Sequence, residues 1–307
     1  MITLIVPTRN RAHTLRLVAP SYFEQEHVDE LIFVDDAGTD DTASVLQEIA
    51  ARYPDKRMLI LRNEQRTGAP GSRNKGVAVC RNDYVLFCDD DEYLEPGYAA
   101  VCLAKLKADP QLGAISGRRV YMLPGETQAQ ALQRFRFGLH HVKPFRPMIC
   151  EYVNGAIFHG DIHVPFTNAI ILTRKSLLQQ YPFDPIYAVG YGYREETDYQ
   201  MNLFVNGYKI CITNERHSLH LPMEQVRTGG QRTSARQRVY WSIHYTDYFF
   251  KKYYARYAPR VGLHVPQVLA LAAFASFAVY RETLRPPLHK LGLWAITNLR
   301  RRAQVAA

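Results

Sequence analysis

The chain is poor in cysteine, and the few it has form no pattern. Its 307 residues hold five, Cys80, Cys88, Cys102, Cys150 and Cys211, an odd number without a CxxC pair. That argues against a disulfide framework and a cysteine-built zinc cluster, and it suits a reducing cytoplasm. Long apolar runs are missing too. VPQVLALAAFASFAVY at 265–280 falls short of the about 20 apolar residues a membrane span needs. The amino terminus, MITLIVPTRNR, has neither the basic start nor the extended apolar core of a secretory leader. A cytoplasmic location is therefore expected. No internal repeat and no nucleic-acid-binding module is present, so no nucleic-acid partner is expected.

Negative charge is scarce in the last third. From Leu221 onward there are 3 Asp and Glu against 14 Lys and Arg, a net +11, while the first 220 residues carry 26 acids against 24 bases. A near-neutral body with a basic end implies an anionic partner for that end, and an anionic membrane surface is the leading one. The apolar stretch at 265–280, followed by RETLRPPLHKLGLWAITNLRRR with Trp294, suits an interfacial helix lying on the inner face of a membrane. A homo-oligomer contact through the same helices competes with that reading, as does a basic face that is simply solvated.

What the chain does have is a folded protein's composition, 47% hydrophobic and 22% charged. ITLIV (2–6), ELIFV (30–34), RMLIL (57–61) and YVLFC (84–88) read as strands buried on both faces. HTLRLVAPSYF, DDTASVLQEIAARY and PGSRNKGVAVC between them have helical spacing, with Thr39 or Asp40 as N-cap of the second helix. Alternation of this kind gives an α/β fold, a Rossmann-like, mainly parallel sheet flanked by helices. Residues 122–165, rich in His, Phe and Pro, read as an insertion. Regular structure then resumes with TNAIILTRKSLL, a helix EETDYQMNLFVNGY closing on Gly207, and the strand KICIT. The domain expectation is a globular body over 1–222, a mobile Gly/Arg loop over 223–234 and a basic helical extension over 235–307. Helices are expected near 235–257, 266–283 and 287–302.

In such sheets ligands bind at the carboxyl ends of the strands. TRN follows the first strand, DDAGTDD the second and DDDE the fourth, so all three open onto one edge. Four adjacent acids, Asp89, Asp90, Asp91 and Glu92, repel one another unless something positive sits among them. Hard oxygen ligands in a small cluster suit Mg2+ or Mn2+, which take one or two carboxylates plus substrate phosphates. RTGAPGSRNKG (66–76) has the glycines of a phosphate loop but matches neither GxxxxGK[ST] nor GxGxxG; its Arg66, Arg73 and Lys75 are candidates to face a diphosphate. The blander reading of each motif is an acidic solvated loop, a helix cap or a surface charge.

Taken together, VPTRNR, FVDDAGTDDT, TGAPGSRNKG, FCDDDEYLEP and GYREETDY, in this order, resemble the family 2 glycosyltransferases of GT-A fold over about residues 1–222. The resemblance implies a metal-dependent inverting transferase. DDD would be the DxD element, with Asp91 the main metal ligand and Asp89 and Asp90 near ribose and diphosphate. Asp35 or Asp36 would hold the base, and Pro7, Thr8 and Arg9 would line the nucleotide pocket, with Gly68 and Arg73 also on the nucleotide-sugar side. EETD would supply the catalytic base, Glu196, with Glu195 and Asp198 beside it. A histidine in ERHSLHLP would complete the metal shell, His220 favoured over His217. His140, His141, His159 and His163 read as acceptor-loop or surface residues.

The implied partners are a nucleoside-diphosphate sugar, UDP preferred over GDP and dTDP, and a glycan or lipid-linked acceptor. The pattern departs from the family in having Glu-Glu for Glu-Asp and in lacking QxxRW, which favours single additions over polymerisation. Two other classes compete. A nucleotidyltransferase would carry glycines just after strand one, and VPTRNRAHTL has none. A non-catalytic sugar- or lipid-binding scaffold would have no need for so many carboxylates.

Overall fold

A computed structural model of the chain describes residues 1–136, 144–154, 156, 158–190, 192–226 and 233–285. The helix expected over 287–302 with Trp294, the histidines at 140 and 141, and residues 227–232 of the Gly/Arg loop lie outside the described residues. Two compact units result, Met1–Arg146 with Glu151–Arg232, and Pro147–Cys150 with Thr233–Ala307.

The first unit begins with β1 (Ile2–Thr8), α1 (Ala12–Val18), α2 (Pro20–Phe23), β2 (Val28–Asp35), α3 (Thr42–Ala50), β3 (Arg57–Arg62), α4 (Gly68–Val79) and β4 (Tyr84–Phe87). It continues through β5 (Glu92–Leu94), α5 (Tyr98–Ala108), β6 (Leu112–Tyr121), α6 (Gln128–Arg136), β7 (Phe145–Arg146), β8 (Glu151–Tyr152) and β9 (Ile162–His163). β10 (Leu172–Arg174), α7 (Lys175–Gln180), a 3-10 turn at Pro185–Ala188, α8 (Glu195–Val205) and β11 (Lys209–His220) complete it. The sheet runs β3-β2-β1-β4-β10-β6-β11-β5, with β9 also on β11. The first four strands are parallel. β10 is wedged antiparallel between β4 and β6, and β5 runs antiparallel on β11. The sheet is therefore parallel in its first half and mixed in its second. The segment expected as an insertion holds short elements of its own.

Strand alternation builds two cores. Leu4 and Val6, Leu31 and Phe33, Leu86 and Cys88 face one side, against Leu15 of α1, Leu46 of α3 and Leu106 of α5. Ile5, Ile32, Val34, Val85 and Phe87 face the other, against Val77 of α4, Leu177 of α7 and Leu203 of α8. A period of two makes this division automatic, and each fully buried Leu or Phe contributes about 1.5–3 kcal/mol. β3 differs from expectation: at the sheet's edge it is half-buried along most of its length rather than buried on both faces. The cap of α3 differs as well. Asp41 holds the N-cap position, while Asp40 Oδ1 accepts from the Thr42 amide and hydroxyl.

The second unit holds α9 (Ala235–Arg260) and α10 (Gln267–Val279). α9 starts from a capping box in which Ser234 and Gln237 satisfy each other's amides. Among the described residues no helix is long and apolar enough to cross a membrane. All five cysteines are free and buried.

Between Thr213 and His217 the ladder of β11 on β6 bulges, so Asn214, Glu215 and Arg216 are set opposite the junction of Gly117 and Arg118. Gly117 makes room for that bulge: a Cβ there would lie 2.4 Å from the Arg216 carbonyl oxygen and 2.4 Å from the Tyr98 ring. Gly117→Ala is expected to lower stability by about 1–3 kcal/mol. Urea denaturation checks this, and an unchanged midpoint would show the bulge to be slack.

Candidate active site

Leaving β4, the chain turns through Asp89, Asp90 and Asp91 before entering β5 at Glu92. The buried Tyr22 hydroxyl holds both ends of this turn, lying 2.6 Å from the Asp89 carbonyl oxygen and against that of Glu92. Three arginines answer the mutual repulsion of the acids. Asp89 sits between Arg73 Nη2 at 3.3 Å and Arg119 Nη2 at 3.2 Å. Asp90 and Asp91 lie 3.7 and 3.8 Å from the Arg11 guanidinium, and Glu92 lies against Arg119. Burial and the neighbouring Asp91 push Asp90 up to about 7, against the pull of Arg11. Burial likewise pushes Glu92 up to about 7, against Arg119.

Pairing of β5 with β11 sets Glu92 opposite His220. Asp91, Glu92 and His220 thereby bring one ligand atom each to within 4.8 Å of one another. His220 Nδ1 is 2.6 Å from the Leu221 carbonyl oxygen, which can only accept, so Nδ1 carries the hydrogen. Nε2 is then the nitrogen that faces Asp91 Oδ1, 3.7 Å away, and with the ring neutral it carries a lone pair. Two acceptors facing each other at that distance require a proton or a cation between them. Both Glu92 carboxylate oxygens are buried and accept no hydrogen bond, Arg119 touching one without alignment. Two hard oxygens and an imidazole nitrogen fit Mn2+ or Mg2+. Glu92 was not expected as a ligand, although it is the fourth acid of DDDE; only the strand pairing reveals its partner. His217 is turned elsewhere, with Nδ1 2.8 Å from Glu95 and Nε2 3.5 Å from Arg118.

Pro7 and Thr8 end β1 with Arg9 next, and Asp35 ends β2, all at the carboxyl edge. The two aspartates have different surroundings. Asp36 accepts from the Thr67 amide at 2.7 Å, the Gly68 amide at 3.0 Å and Asn63 Nδ2 at 2.9 Å, which anchors the start of α4. Asp35 accepts from the Gly38 amide at 2.8 Å and faces Arg62 at 3.3 Å. Gly68 has φ +69°, and a Cβ on it would come within 2.9 Å of Ala188 Cα. Residues 68–76 are thus the first turns of α4, and Lys75 donates to the Arg62 carbonyl rather than outward.

Arg73 points inward. It is 2% exposed, its guanidinium 5.9 Å from the Phe87 ring and 5.4 Å from that of Phe183. Nη1 donates to Glu195 at 2.5 Å while Nη2 reaches Asp89. Burial works against its charge, but Glu195 and Asp89 outweigh burial and hold its pKa above the ordinary value. One guanidinium therefore joins the DDD turn to the first turn of α8.

The acids of α8 are not equivalent. Glu195 is committed to Arg73, and burial still pushes it up to about 7. Asp198 accepts from the Tyr187 hydroxyl at 2.9 Å. Glu196 is half-buried, and among the described residues its carboxylate has no hydrogen bond or ion pair to another residue. Its pKa is raised by burial against the pull of Arg73. Just before them, Arg194 holds φ +78°, a left-handed conformation that disfavours any side chain. It persists because its guanidinium pairs with Glu151 of β8 at 3.3 Å and lies over the rings of Phe166 and Tyr193.

Comparison with known proteins gives the family and the fold. The family model described as glycosyl transferase family 2 matches residues 3–178, more than half of the chain. The GalNAc(5)-diNAcBac-PP-undecaprenol beta-1,3-glucosyltransferase of Campylobacter jejuni is 32% identical over 105 residues, 34% of each chain. The chain spans less than two fifths of the length of the curated relatives it matches. Among solved structures, S. aureus TarS 1-349 in complex with UDP-GlcNAc superposes with TM-score 0.58 at 14% identity, covering 91% of this chain and 72% of that one. The mannosyltransferase PcManGT of Pyrobaculum calidifontis, in complex with GDP-Man and Mn2+, gives 0.56 at 17% identity over 97% and 80%. The fold is that of the GT-A glycosyltransferases.

Arg73→Met leaves Asp89 and Glu195 without their shared cation and is expected to cost about 3–5 kcal/mol of stability. Arg73 interacts favourably only with the ionised form of Glu195. The deficit should therefore be largest above pH about 7 and shrink as pH falls and Glu195 takes up its proton. Denaturation of both proteins across that range measures it; a deficit that grew toward acid pH would contradict the role given to Arg73.

Proposed function

The chain belongs to glycosyl transferase family 2, and we propose that it moves a hexose from a nucleoside-diphosphate sugar to an acceptor hydroxyl with inversion at the anomeric carbon. The observation that carries this reading is the convergence of the DDD turn, His220 and the open carboxylate of Glu196 on one sheet edge, cross-linked by Arg73. Asp91, Glu92 and His220 would hold Mn2+ or Mg2+. A divalent ion so held supplies Lewis-acid neutralisation of the diphosphate as it leaves.

The remaining roles belong to the chain's own side chains. Pro7, Thr8 and Arg9 line the nucleotide pocket, and Asp35 faces the base while Asp36 and Gly68 hold its wall. Asp89 and Asp90 border ribose and diphosphate, with Arg73 keeping Asp89 in place. Glu196 takes the proton of the acceptor hydroxyl. The hydroxyl oxygen bonds to the anomeric carbon as the carbon–oxygen bond to the diphosphate breaks, and the nucleoside diphosphate departs with the electron pair. A raised pKa keeps such a base nearer the working pH, so turnover falls as acid protonates it. Glu195 and Asp198 keep the first turn of α8 in place.

UDP is the preferred carrier, supported by the UDP-GlcNAc complex of TarS; the GDP-Man complex of PcManGT keeps GDP as the alternative. The undecaprenol-diphosphate acceptor in the name of the Campylobacter relative supports a lipid-linked glycan acceptor, in polysaccharide or glycolipid assembly. Such an acceptor lies at a membrane, and the second unit suits that location. It carries 12 Lys and Arg against 2 Asp and Glu, and α10 exposes Val268, Leu269 and Val279. We read it as docking on an anionic inner leaflet.

Glu196→Gln is expected to lower turnover by about 10²–10⁴ while leaving nucleotide affinity nearly unchanged. Asp91→Asn should instead weaken metal-dependent nucleotide binding. Radiolabelled-sugar transfer and calorimetry separate the two, and normal turnover in Glu196→Gln removes it as the base.

For the second unit, the full chain should float with vesicles containing anionic lipid and stay behind with neutral ones. Leu269→Asp with Val268→Asp should lower the floated fraction severalfold. Equal recovery on both lipids, or a substitution that changes only the mass seen by light scattering, replaces docking by self-association or by a solvated face.

A further inference from the structure

Arg11 is the third arginine of the acidic turn and the one whose geometry differs. Its backbone is fixed at the start of α1, where its carbonyl accepts from the Thr14 amide at 3.1 Å, the Leu15 amide at 2.9 Å and the Thr14 hydroxyl at 3.0 Å. The neighbouring Ala12 amide donates to Asp40 Oδ2 at 2.9 Å, which ties this loop to the one after β2. The side chain is 10% exposed, so it is as enclosed as a core residue. Yet Nε stands 3.7 Å from Asp90 Oδ1, Nη2 stands 3.8 Å from Asp91 Oδ2, and Nη1 is buried with no acceptor. Among the described residues this guanidinium donates no hydrogen bond. Arg73 and Arg119, by contrast, are in close contact with their carboxylates.

A buried cation held only at ion-pair distance from its carboxylates, with Nη1 enclosed and unbonded, is an unfinished interaction. Guanidinium geometry is matched by paired phosphate oxygens. Arg11 also faces Asp91, one of the residues that fit a divalent ion. A second cation placed there would be repelled by Arg11 unless an anion came between the two. A diphosphate is such an anion.

We propose that Arg11 is a diphosphate-binding residue that makes cation and nucleotide uptake mutually dependent. This deepens the transferase reading and rests on it. Before either arrives, Arg11 screens Asp90 and Asp91 and weakens the site for a cation alone. Once phosphate oxygens occupy its donors, the guanidinium is satisfied and Asp91 is free for the cation. Since coupling of two ligands is reciprocal, the factor by which the cation tightens the nucleotide equals that by which the nucleotide tightens the cation.

Calorimetry on the full chain with Mn2+ alone, with UDP, GDP or inorganic pyrophosphate alone, and with each pair measures that factor. The wild type should show coupling of about 5–150-fold. Arg11→Gln should bind Mn2+ alone severalfold more tightly and lose about tenfold in diphosphate affinity in its presence. Arg11→Lys keeps the charge without the fork, so it should bind Mn2+ alone like the wild type and lose part of the diphosphate gain. Thermal melting establishes that each variant is folded. A wild type that takes up neither cation nor any diphosphate overturns the transferase reading, and this proposal with it. Wild-type coupling that survives unchanged in the variants overturns the role of Arg11 alone.

Discussion

The site depends on one buried guanidinium. Arg73 touches Glu195 and Asp89, residues 122 and 16 positions away in the chain, and brings α8 and the turn after β4 to a common point. A charge so enclosed is stable only while both carboxylates stay ionised and close, so each element holds the other in place. The Phe87 and Phe183 rings add a surface that a guanidinium tolerates better than an ammonium would. Around this tie the charges do not balance. Among the described residues Asp89, Asp90, Asp91, Glu92, Glu195 and Glu196 face three arginines, Arg11, Arg73 and Arg119, with His220 beside Asp91, and burial first, then the neighbouring acids, raises the pKa values of four of them. An enclosed site whose carboxylates outnumber the arginines beside them among the described residues is suited to a divalent ion.

The first turn of α8 divides its labour by neighbour rather than by residue type. A helix N-terminus favours acids in any case, by about 0.3–1 kcal/mol each, so three acids there say nothing about catalysis by themselves. Their partners do. Glu195 gives Oε1 to Arg73 and keeps Oε2 buried without a hydrogen bond, and Asp198 accepts from the Tyr187 hydroxyl, so Glu196 is the one of the three that is half-buried rather than buried. The left-handed Arg194 sets where that first turn begins. Because Arg194 is paired with Glu151 on β8, the strand pair β7–β8 and the carboxylate of Glu196 are positioned by one strained residue. The bland account of EETD and the catalytic one are thus compatible: the helix terminus makes the acids welcome, and tertiary contacts decide which one is available.

Much of the fold was legible because it follows from periodicity. Four apolar runs separated by helical spacing yield a sheet whose ligand edge collects TRN, DDAGTDD and DDDE, and that needs only the rule for parallel strands. The wedge of β10 was not legible, since Leu172–Arg174 is three residues long and carries no pattern. The destinations of charged side chains were hidden too. Asp36 looks like a base-holding acid in FVDDAGTDDT, yet its oxygens meet the amides that open α4. Arg73 looks like a phosphate contact in a glycine loop, yet it is buried. A charged residue's partner is set by which elements the fold brings beside it, and no local window contains that information.

The two histidines of ERHSLHLP show where local reasoning was one step from sufficient. On a strand, residues three apart point to opposite faces, so His217 and His220 cannot both reach the acidic turn. The one that does is decided by the register of β11 on β5, where His220 stands opposite Glu92. The bulge before His217 absorbs Asn214, Glu215 and Arg216 and so resets the strand between its buried first half and the site. The carbonyl of Leu221 then holds a hydrogen on Nδ1 of His220, which leaves Nε2 as the nitrogen that faces Asp91. A histidine merely filling space would need neither the register nor the tautomer. Both are what a ligand to a divalent ion requires, since the ion must meet an unprotonated nitrogen on the same face as its carboxylates.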